Sequence, residues 1–428
     1  MADQLPAAAA EAGDLRRRLG VGDAVVVGLG AMIGAGIFAA LAPAARAAGS
    51  GLLVGLAVAA VIAYCNATSS ARLAARYPTS GGSYVYGRER LGEFWGYLAG
   101  WCFVVGKTAS CAAMALTVGG YAWPGHAHAV AVAAVIALTA VNYGGVHKSA
   151  WLTRIIVVIV LAVLGAVVAA AFVSGHADAA RLTLGGEIGI AGVLQAAGLL
   201  FFAFAGYARI ATLGEEVRDP ARTIPRAIPL ALAITLIVYG AVAVAALAVL
   251  GPHLLAHATA PLSQVVTVAG VRWLEPVVRA GAAVAALGSL LAMILGVSRT
   301  VLAMARDRHL PHPLAAVHPR FAVPHRAEVA LGLIVAVAAA TTDVRSAIGF
   351  SSFGVLLYYA VANAAAWTLT PAENRPPRVI PLVGLLGCLV LAATLPMSSV
   401  LSGGAVVAIG AAIYALRRGL TRARRGAG

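Results

Sequence analysis

The chain has few charged residues for its length. Only 11% of its 428 residues are Asp, Glu, Lys or Arg, whereas 61% are hydrophobic and the mean hydropathy is +0.90. A soluble domain is closer to one quarter charged and one half apolar. This shortage of charge excludes a soluble globular protein, because the surplus of apolar side chains must face lipid.

Acidic residues are scarcer than basic ones, with 16 against 31, which gives a net charge of +15. The basic residues avoid the long apolar runs, and 24 of them fall in connections on one side of the predicted membrane. Such a bias places both termini in the cytoplasm. The basic charge therefore indicates topology, and we expect no nucleic-acid partner. The exceptions are five residues on the opposite side and two within spans: Arg46, Arg181, Arg272, Arg279, Arg345, Lys107 and Arg209.

Cysteine is also rare. The four cysteines lie in apolar runs without the spacing of metal ligands, so we interpret them as buried small hydrophobic residues. Histidines and carboxylates are scattered in the connections and form no convergent set, which argues against an enzyme. We expect no cofactor and no transition-metal site. No apolar stretch precedes Arg16, so we also expect no cleaved signal peptide. The four cysteines are Cys65, Cys102, Cys111 and Cys388.

Long apolar runs fill nearly the whole chain. Each is close to the roughly 20 residues that an α-helix needs to cross a bilayer. The sequence therefore predicts an all-α polytopic membrane protein of twelve transmembrane helices. The predicted spans are 22–44, 51–72, 92–120, 124–142, 151–173, 189–212, 226–250, 273–303, 327–341, 347–370, 379–395 and 399–416.

Two spans contain segments that are unusual for a membrane helix. The first has four glycines in nine residues, from Gly28 to Gly36, and the sixth contains the aromatic run from Phe201 to Tyr207. Glycine weakens a helix, and unwound backbone survives in lipid only where protein or a water-filled cavity covers it. Breaks in spans one and six are the pattern of inverted-repeat transporters with a site near mid-membrane. Close helix packing through Gly30 and Gly34 is the alternative explanation.

Four motifs, taken in order, resemble the amino acid–polyamine–organocation superfamily of transporters. They are the glycine run of span one; Tyr77-Pro78-Thr79-Ser80-Gly81-Gly82-Ser83-Tyr84 with Gly100-Trp101; Phe201 to Tyr207 followed by Gly214 to Pro225; and Ser298-Arg299 with Met304 to Pro311.

The resemblance implies a secondary transporter with two inverted five-helix repeats, working by alternating access. It divides the chain into a cytoplasmic segment at 1–21, repeats at 22–188 and 189–370, and two extra helices with a basic tail at 371–428. Arginine is nearly the only basic residue, since only two of the 31 are lysines, and alanine is abundant. Both features indicate a bacterial protein, which we place in the cytoplasmic membrane. The oligomeric state stays open.

The resemblance also implies a substrate site made of backbone. Peptide N–H groups around Ile33, Gly34, Ala35 and Gly36 would bind a substrate carboxylate, as the N-terminus of a helix can. Carbonyls around Phe202, Ala203 and Ala205 would bind its ammonium group. Phe204 and Tyr207 would cover the substrate or gate the site, with ordinary core packing as the alternative for both aromatic residues.

The centres of the predicted spans hold no carboxylate and no histidine. A cationic side chain would therefore find no buried counter-ion, so neutral amino acids are the expected substrates. In the branch of the superfamily that carries cationic amino acids, an acidic residue follows Gly-Trp in helix three. Here Gly100-Trp101 leads instead to Lys107, which makes an acidic amino acid, or another small amine or zwitterion, the alternative substrate. A channel or a membrane enzyme fits the sequence less well.

The mode of coupling is left open: transport could be coupled to a proton or to sodium, or it could be an exchange of substrates. Lysine in a membrane is costly while charged, so Lys107 is a candidate proton carrier; snorkelling or pairing with a carbonyl is the alternative. Relatives often carry a lysine in helix five, where this chain has Val160. Carbonyls of Gly30 and Ile33 with the Ser289 hydroxyl form a weaker candidate site for sodium. Arg209 is expected either to act at an inner gate or to snorkel to the cytoplasm.

Overall fold

A computed structural model describes residues 19–77, 81–145, 150–184, 189–211, 217–321 and 323–426. The described chain is built of α-helices joined by short turns, and its β structure is limited to a single bridge between Leu19 and Val217. The helices are α1 (Val21–Met32), α2 (Ala35–Ala39), α3 (Leu41–Ala48), α4 (Leu52–Arg76), α5 (Ser83–Leu91), α6 (Glu93–Ala122), α7 (Ala127–Tyr143), α8 (Ala150–Val173), α9 (Ile190–Phe204), α10 (Ala208–Ala211), α11 (Pro220–His257), α12 (Pro261–Val268), α13 (Glu275–Arg306), α14 (His325–Thr341), α15 (Val344–Trp367), α16 (Val379–Thr394) and α17 (Met397–Gly426).

Every predicted span falls on one or more of these helices, and the all-α membrane architecture is confirmed. Within the described residues, ten helical stretches are long and apolar enough to cross a membrane. The helices α14 and α16 have 17 and 16 residues. At 1.5 Å per residue they are about 26 and 24 Å long, less than the roughly 30 Å of the bilayer core. The number of twelve crossings therefore stays a prediction.

The connections hold more helix than the sequence suggested. The helices α5 and α12 lie between predicted spans. The helix α11 begins at Pro220, before the predicted start, because proline at the first helical position has a suitable φ and loses no hydrogen bond there. It bends at Gly251, whose φ of +71° interrupts the helix just before Pro252. Apolar periodicity alone carries no information about these ends.

The basic connections that were assigned to one side do lie together. Side-chain ion pairs join them in three places, and the Arg218 N–H donates to the Leu19 carbonyl at 2.9 Å. The chain segments on this face are therefore held to one another as well as to the membrane helices. The ion pairs are Arg154 with Asp23, both Arg76 and Arg90 with Glu373, and Arg88 with Asp307.

The helices differ in how deeply they are buried, and this places the site. In α6 and α15, 78% of the most apolar window is buried inside the protein, whereas α7 and α17 are almost entirely peripheral. The interrupted first and sixth spans pack against the two central helices and against α11 and α13. The centre of the molecule is therefore where the two interruptions meet.

Candidate functional site

The first span is interrupted where its glycine run predicts. The helix α1 ends at Met32, and Ile33 adopts φ −80° and ψ 66°. These angles are those of an inverse γ-turn. The turn is closed by the Gly34 N–H, which donates to the Met32 carbonyl at 2.8 Å. The N–H of Gly34, one of the predicted carboxylate donors, is therefore already used within the chain.

A new helix begins directly after this turn. It starts at Ala35 and runs through Ala40 into α3, since Ala40 is in the α region and donates to the Gly36 carbonyl at 2.9 Å. The first N–H groups of a helix have no acceptor within it. Ala35, Gly36 and Ile37 therefore present their N–H groups toward the interruption, with the positive end of the helix dipole behind them. Of the predicted donors, Ala35 and Gly36 hold this position.

Two glycines let other helices approach this turn closely. A Cβ atom at Gly34 would lie 1.9 Å from the Ser289 Oγ of α13, and one at Gly36 would lie 2.6 Å from the Ala203 Cα of α9. Both separations are far below any real contact, so neither position accepts a side chain without movement. The structure thus brings the predicted residues Gly34, Gly36, Ser289 and Ala203 together.

The interruption of the sixth span is milder than predicted. Phe202 and Ala203 belong to α9, which continues to Phe204; a single 3₁₀ turn at Ala205–Tyr207 then leads into α10. Within the run from Phe201 to Tyr207, the break is therefore confined to its last three residues. A Cβ at Gly206 would lie 2.3 Å from the Ala31 carbonyl oxygen, so the backbones of the two interrupted spans touch.

Hydroxyl and ammonium groups converge on the carbonyls at these interruptions. The Tyr239 Oη of α11 lies 2.5 Å from the Met32 carbonyl oxygen and 3.1 Å from that of Ala203. A tyrosine hydroxyl has one proton, so it donates to only one of them at a time. Lys107 Nζ and Tyr359 Oη each donate to the Ala205 carbonyl at 3.4 Å.

Lys107 therefore pairs with a carbonyl, one of the alternatives that the sequence left open. Its side chain is 4% exposed on the central helix α6, and its Nζ reaches the sixth-span interruption. The sequence did not identify Tyr239 or Tyr359, because aromatic residues are common in spans. A hydroxyl inside a membrane needs a partner, and that requirement is the signal that could have drawn attention to them.

The remaining predicted site residues are tightly enclosed. Ile33, Phe204 and Tyr207 are at most 1% exposed. The Tyr207 ring centroid lies 5.1 Å from that of Tyr359, and the Phe204 centroid lies 5.2 Å from that of Tyr239. Both aromatic residues pack against other rings around the two interruptions.

The candidate sodium ligands contact different helices. Ser289 contacts Gly34, but a Cβ at Gly30 would meet Thr153 Cγ2 at 2.7 Å and Val157 Cγ2 at 3.3 Å, both on α8. Gly30 therefore faces α8, and the contact of Ser289 is with Gly34. Val160, which stands where relatives often have lysine, is fully buried.

Glu328 is the carboxylate whose burial the sequence did not predict. It is fully buried in the first turn of α14, with Oε1 3.5 Å from Ser298 Oγ on α13. Ser298 lies nine residues beyond Ser289 along the same helix, which is about 13 Å at 1.5 Å per residue. Glu328 is therefore too far from the interruptions to pair with a substrate there.

Arg209 lies in α10 and is exposed. Its two expected roles, at an inner gate or extending to the cytoplasm, both stay predictions. The neighbouring carboxylates Glu215 and Glu216 lie outside the described residues.

The sequence matches known transporters over nearly its whole length. The pattern of the family described as "Amino acid permease" covers residues 19–416. A protein of Mycobacterium tuberculosis named as an uncharacterized transporter is 74% identical over 412 residues, covering 96% of this chain and 94% of that protein.

More distant relatives carry names that specify amino acids. The branched-chain amino acid permease of Bacillus subtilis is 28% identical, covering 94% of this chain and 93% of that protein. The human cationic amino acid transporter 4 is 30% identical, covering 85% of this chain and 61% of that protein. The chain therefore belongs to the amino acid permease family of the amino acid–polyamine–organocation superfamily, and it is an integral membrane transporter.

Proposed function

We propose that the chain moves neutral amino acids across the bacterial cytoplasmic membrane by alternating access between two inverted repeats, with both termini in the cytoplasm. The carboxylate of the substrate binds the N–H groups of Ala35, Gly36 and Ile37. Its ammonium binds the carbonyls of Ala203 and Ala205. The observation that supports this arrangement best is that the ammonium of Lys107 already lies against the Ala205 carbonyl. That carbonyl is therefore a place where the protein holds a cation.

The charges around the interruptions favour a neutral side chain. Lys107 is buried beside the site, and like charges repel strongly where water is excluded. Among the described residues, Glu328 is the buried carboxylate, and its partner Ser298 lies about 13 Å along α13 from Ser289. A lysine or arginine substrate would therefore meet a like charge without a nearby counter-ion. The name of the branched-chain permease agrees with this proposal, whereas the names of the cationic transporters point to positively charged substrates.

Lys107 also gives a route for proton coupling. A substrate ammonium that approaches the Ala205 carbonyl meets the ammonium of Lys107 at the same acceptor. Their repulsion is relieved when Lys107 loses its proton, so binding of substrate favours release of a proton. An acidic substrate would instead keep Lys107 charged, because its side-chain carboxylate would pair with the ammonium.

Transport into proteoliposomes tests the substrate class. We expect saturable uptake of leucine that exceeds uptake of arginine and of glutamate. Gly36→Ala should abolish this uptake, because the new methyl group meets the Ala203 backbone. Gly240→Ala on α11 is the matched control, since a Cβ there meets no atom within 4 Å. Uptake that is strongest for arginine would refute the charge argument.

The proton proposal has its own test in the same vesicles. Lys107→Met keeps an unbranched side chain, one atom shorter, and removes the charge. We expect its transport to be slower and to lose the pH dependence of the unchanged protein. A variant that transports at the original rate with the original pH dependence would remove Lys107 from the coupling mechanism.

A further inference from the structure

A long apolar slot lies on the opposite face of α6 from the interruptions. It has a volume of about 590 Å³ and is lined by α6, α13, α14, α15, α17 and the connection after α13. None of its lining residues is charged. An amino acid would leave both of its charges unpaired there, so the slot is no second substrate site.

The dimensions of the slot suit a hydrocarbon chain. Its wall on α6 extends from Trp101 to Ala112, and its wall on α14 and the turn after it extends from Ala327 to Thr342. Eleven rises of a helix are about 16 Å long, and fifteen are about 22 Å. Half of the roughly 30 Å bilayer core is about 15 Å, so the slot is longer than one leaflet and can hold an acyl chain over its whole length.

One end of the slot opens beside a basic cavity. That cavity has a volume of about 410 Å³ and is lined by Arg308, Leu310, Pro311, His312 and Arg417. Leu310 lines both spaces, so an apolar chain and a charged group could occupy them together.

The two arginines at this rim are held next to each other. The Arg417 guanidinium donates to the Arg308 carbonyl at 2.9 Å. The neighbouring carboxylate of Asp307 is engaged elsewhere, because it accepts from Arg88 at 3.2 Å and from the Tyr84 hydroxyl. Guanidinium groups bind phosphate with two parallel hydrogen bonds, and basic pockets at the ends of membrane helices bind anionic lipid headgroups.

The backbone at Arg308 adds a second observation. Its φ of +59° lies in the left-handed region, which favours glycine and is unfavourable for a residue with a side chain. A glycine would form this turn without strain. This residue lies just beyond the end of α13, and an arginine there in place of glycine puts a guanidinium at the mouth of the cavity.

We propose that the slot and the basic cavity together bind one anionic phospholipid. One acyl chain lies between α6 and α14, and the phosphate lies against Arg308, Arg417 and His312. In the orientation proposed above, this lipid belongs to the cytoplasmic leaflet. The lipid site does not depend on which amino acid is transported, and no amino acid is needed to test it.

Native mass spectrometry of the full chain in detergent tests the proposal. The protein is titrated with palmitoyl-oleoyl phosphatidylglycerol, with phosphatidylcholine of the same chains, and with inorganic phosphate. We expect one tightly bound phosphatidylglycerol, weaker phosphatidylcholine and no retained phosphate. Arg308→Gly and Arg417→Ala should each weaken phosphatidylglycerol about fivefold, and the double variant about thirtyfold.

Matched controls separate the site from general surface charge and from loss of fold. Arg418→Ala removes an exposed arginine next to Arg417 that does not line the cavity, and it should leave binding unchanged. Ala338→Phe fills the slot and should weaken both lipids, whereas Ala340→Phe, on the exposed side of α14, should not. Arg308→Gly suits its backbone, so its loss of binding cannot be ascribed to misfolding.

Three results would overturn the proposal. The first is equal binding of the two lipids with no effect of the arginine variants. The second is retention of phosphate alone as firmly as the lipid, which would make the rim a simple anion site. The third is a dimer that forms in the absence of lipid and is lost in Ala338→Phe, which would assign the slot to a second copy of the chain.

Discussion

The contact between Gly34 and Ser289 can be tested by a pair of substitutions. In Gly34→Ala the new methyl group would lie 1.9 Å from Ser289 Oγ and 3.0 Å from its Cβ. Rotation of the serine side chain can move the hydroxyl but not the Cβ atom. Overpacking of this kind costs about 1–3 kcal/mol. At 1.36 kcal/mol per tenfold, that range is about 5- to 150-fold in an equilibrium constant.

Removing the serine hydroxyl should recover part of this loss. Ser289→Ala takes away the atom at 1.9 Å and leaves the contact at 3.0 Å, which small shifts can absorb. We therefore expect Gly34→Ala/Ser289→Ala to be more stable than the sum of the single variants, by about 0.5–3 kcal/mol. The measurements are thermal unfolding of the purified variants in detergent and leucine uptake into proteoliposomes.

The control is Gly296→Ala on α13. A Cβ there meets no atom within 4 Å, and alanine is preferred over glycine inside a helix by about 0.5–1 kcal/mol. This variant should be at least as stable as the unchanged protein. The reasoning would be refuted if Gly34→Ala unfolded and transported normally, or if Ser289→Ala recovered none of its defect.

Three further changes test single contacts. Tyr239→Phe removes the hydroxyl beside the Met32 and Ala203 carbonyls and should lower thermal stability by about 1–3 kcal/mol, the cost of a buried acceptor left without its donor. Hydrogen bonds from the Thr370 backbone, and then from Arg90, lower the pKa of Glu373 to about 2. The carboxylate therefore stabilises the fold fully above its unfolded pKa of about 4.5. In melting experiments over a pH series, the difference in melting temperature between the unchanged protein and Glu373→Gln should vanish as the pH falls toward 2. Burial lowers the pKa of His309 below 6.5, so stability should fall as the pH falls below 6.5, and His309→Gln should make the melting temperature less dependent on pH in that range.

The sequence predicted the helices well because their apolar runs are long and the bilayer fixes their length. The interruption at Ile33 and Gly34 was also predictable, since four glycines within nine residues weaken a helix. The milder interruption at Ala205–Tyr207 was not, because Phe202, Ala203 and Phe204 have no local reason to leave the helix. Their conformation depends on contacts with α11 and α15, which lie far away in sequence.

The glycines also predicted close approach without predicting the partner. Gly34 and Gly36 each lack a side chain for a reason that only the folded chain shows, since the first meets Ser289 and the second meets Ala203. The burial of Glu328 was likewise beyond local sequence, because it depends on the tilt and the ends of its helix.

The pairing of Lys107 with the Ala205 carbonyl links substrate binding to proton release in the proposed mechanism. A helix that ends inside the membrane leaves carbonyls that must accept a hydrogen bond, and at Ala205 the donors are Lys107 and Tyr359. A substrate can bind this carbonyl only by replacing or joining these donors. Substrate binding must therefore change the surroundings of Lys107, and by linkage the state of Lys107 must change the affinity for substrate by the same factor. In the proposed mechanism the lysine belongs to the substrate site, so its charge and the occupancy of the site are one coupled equilibrium.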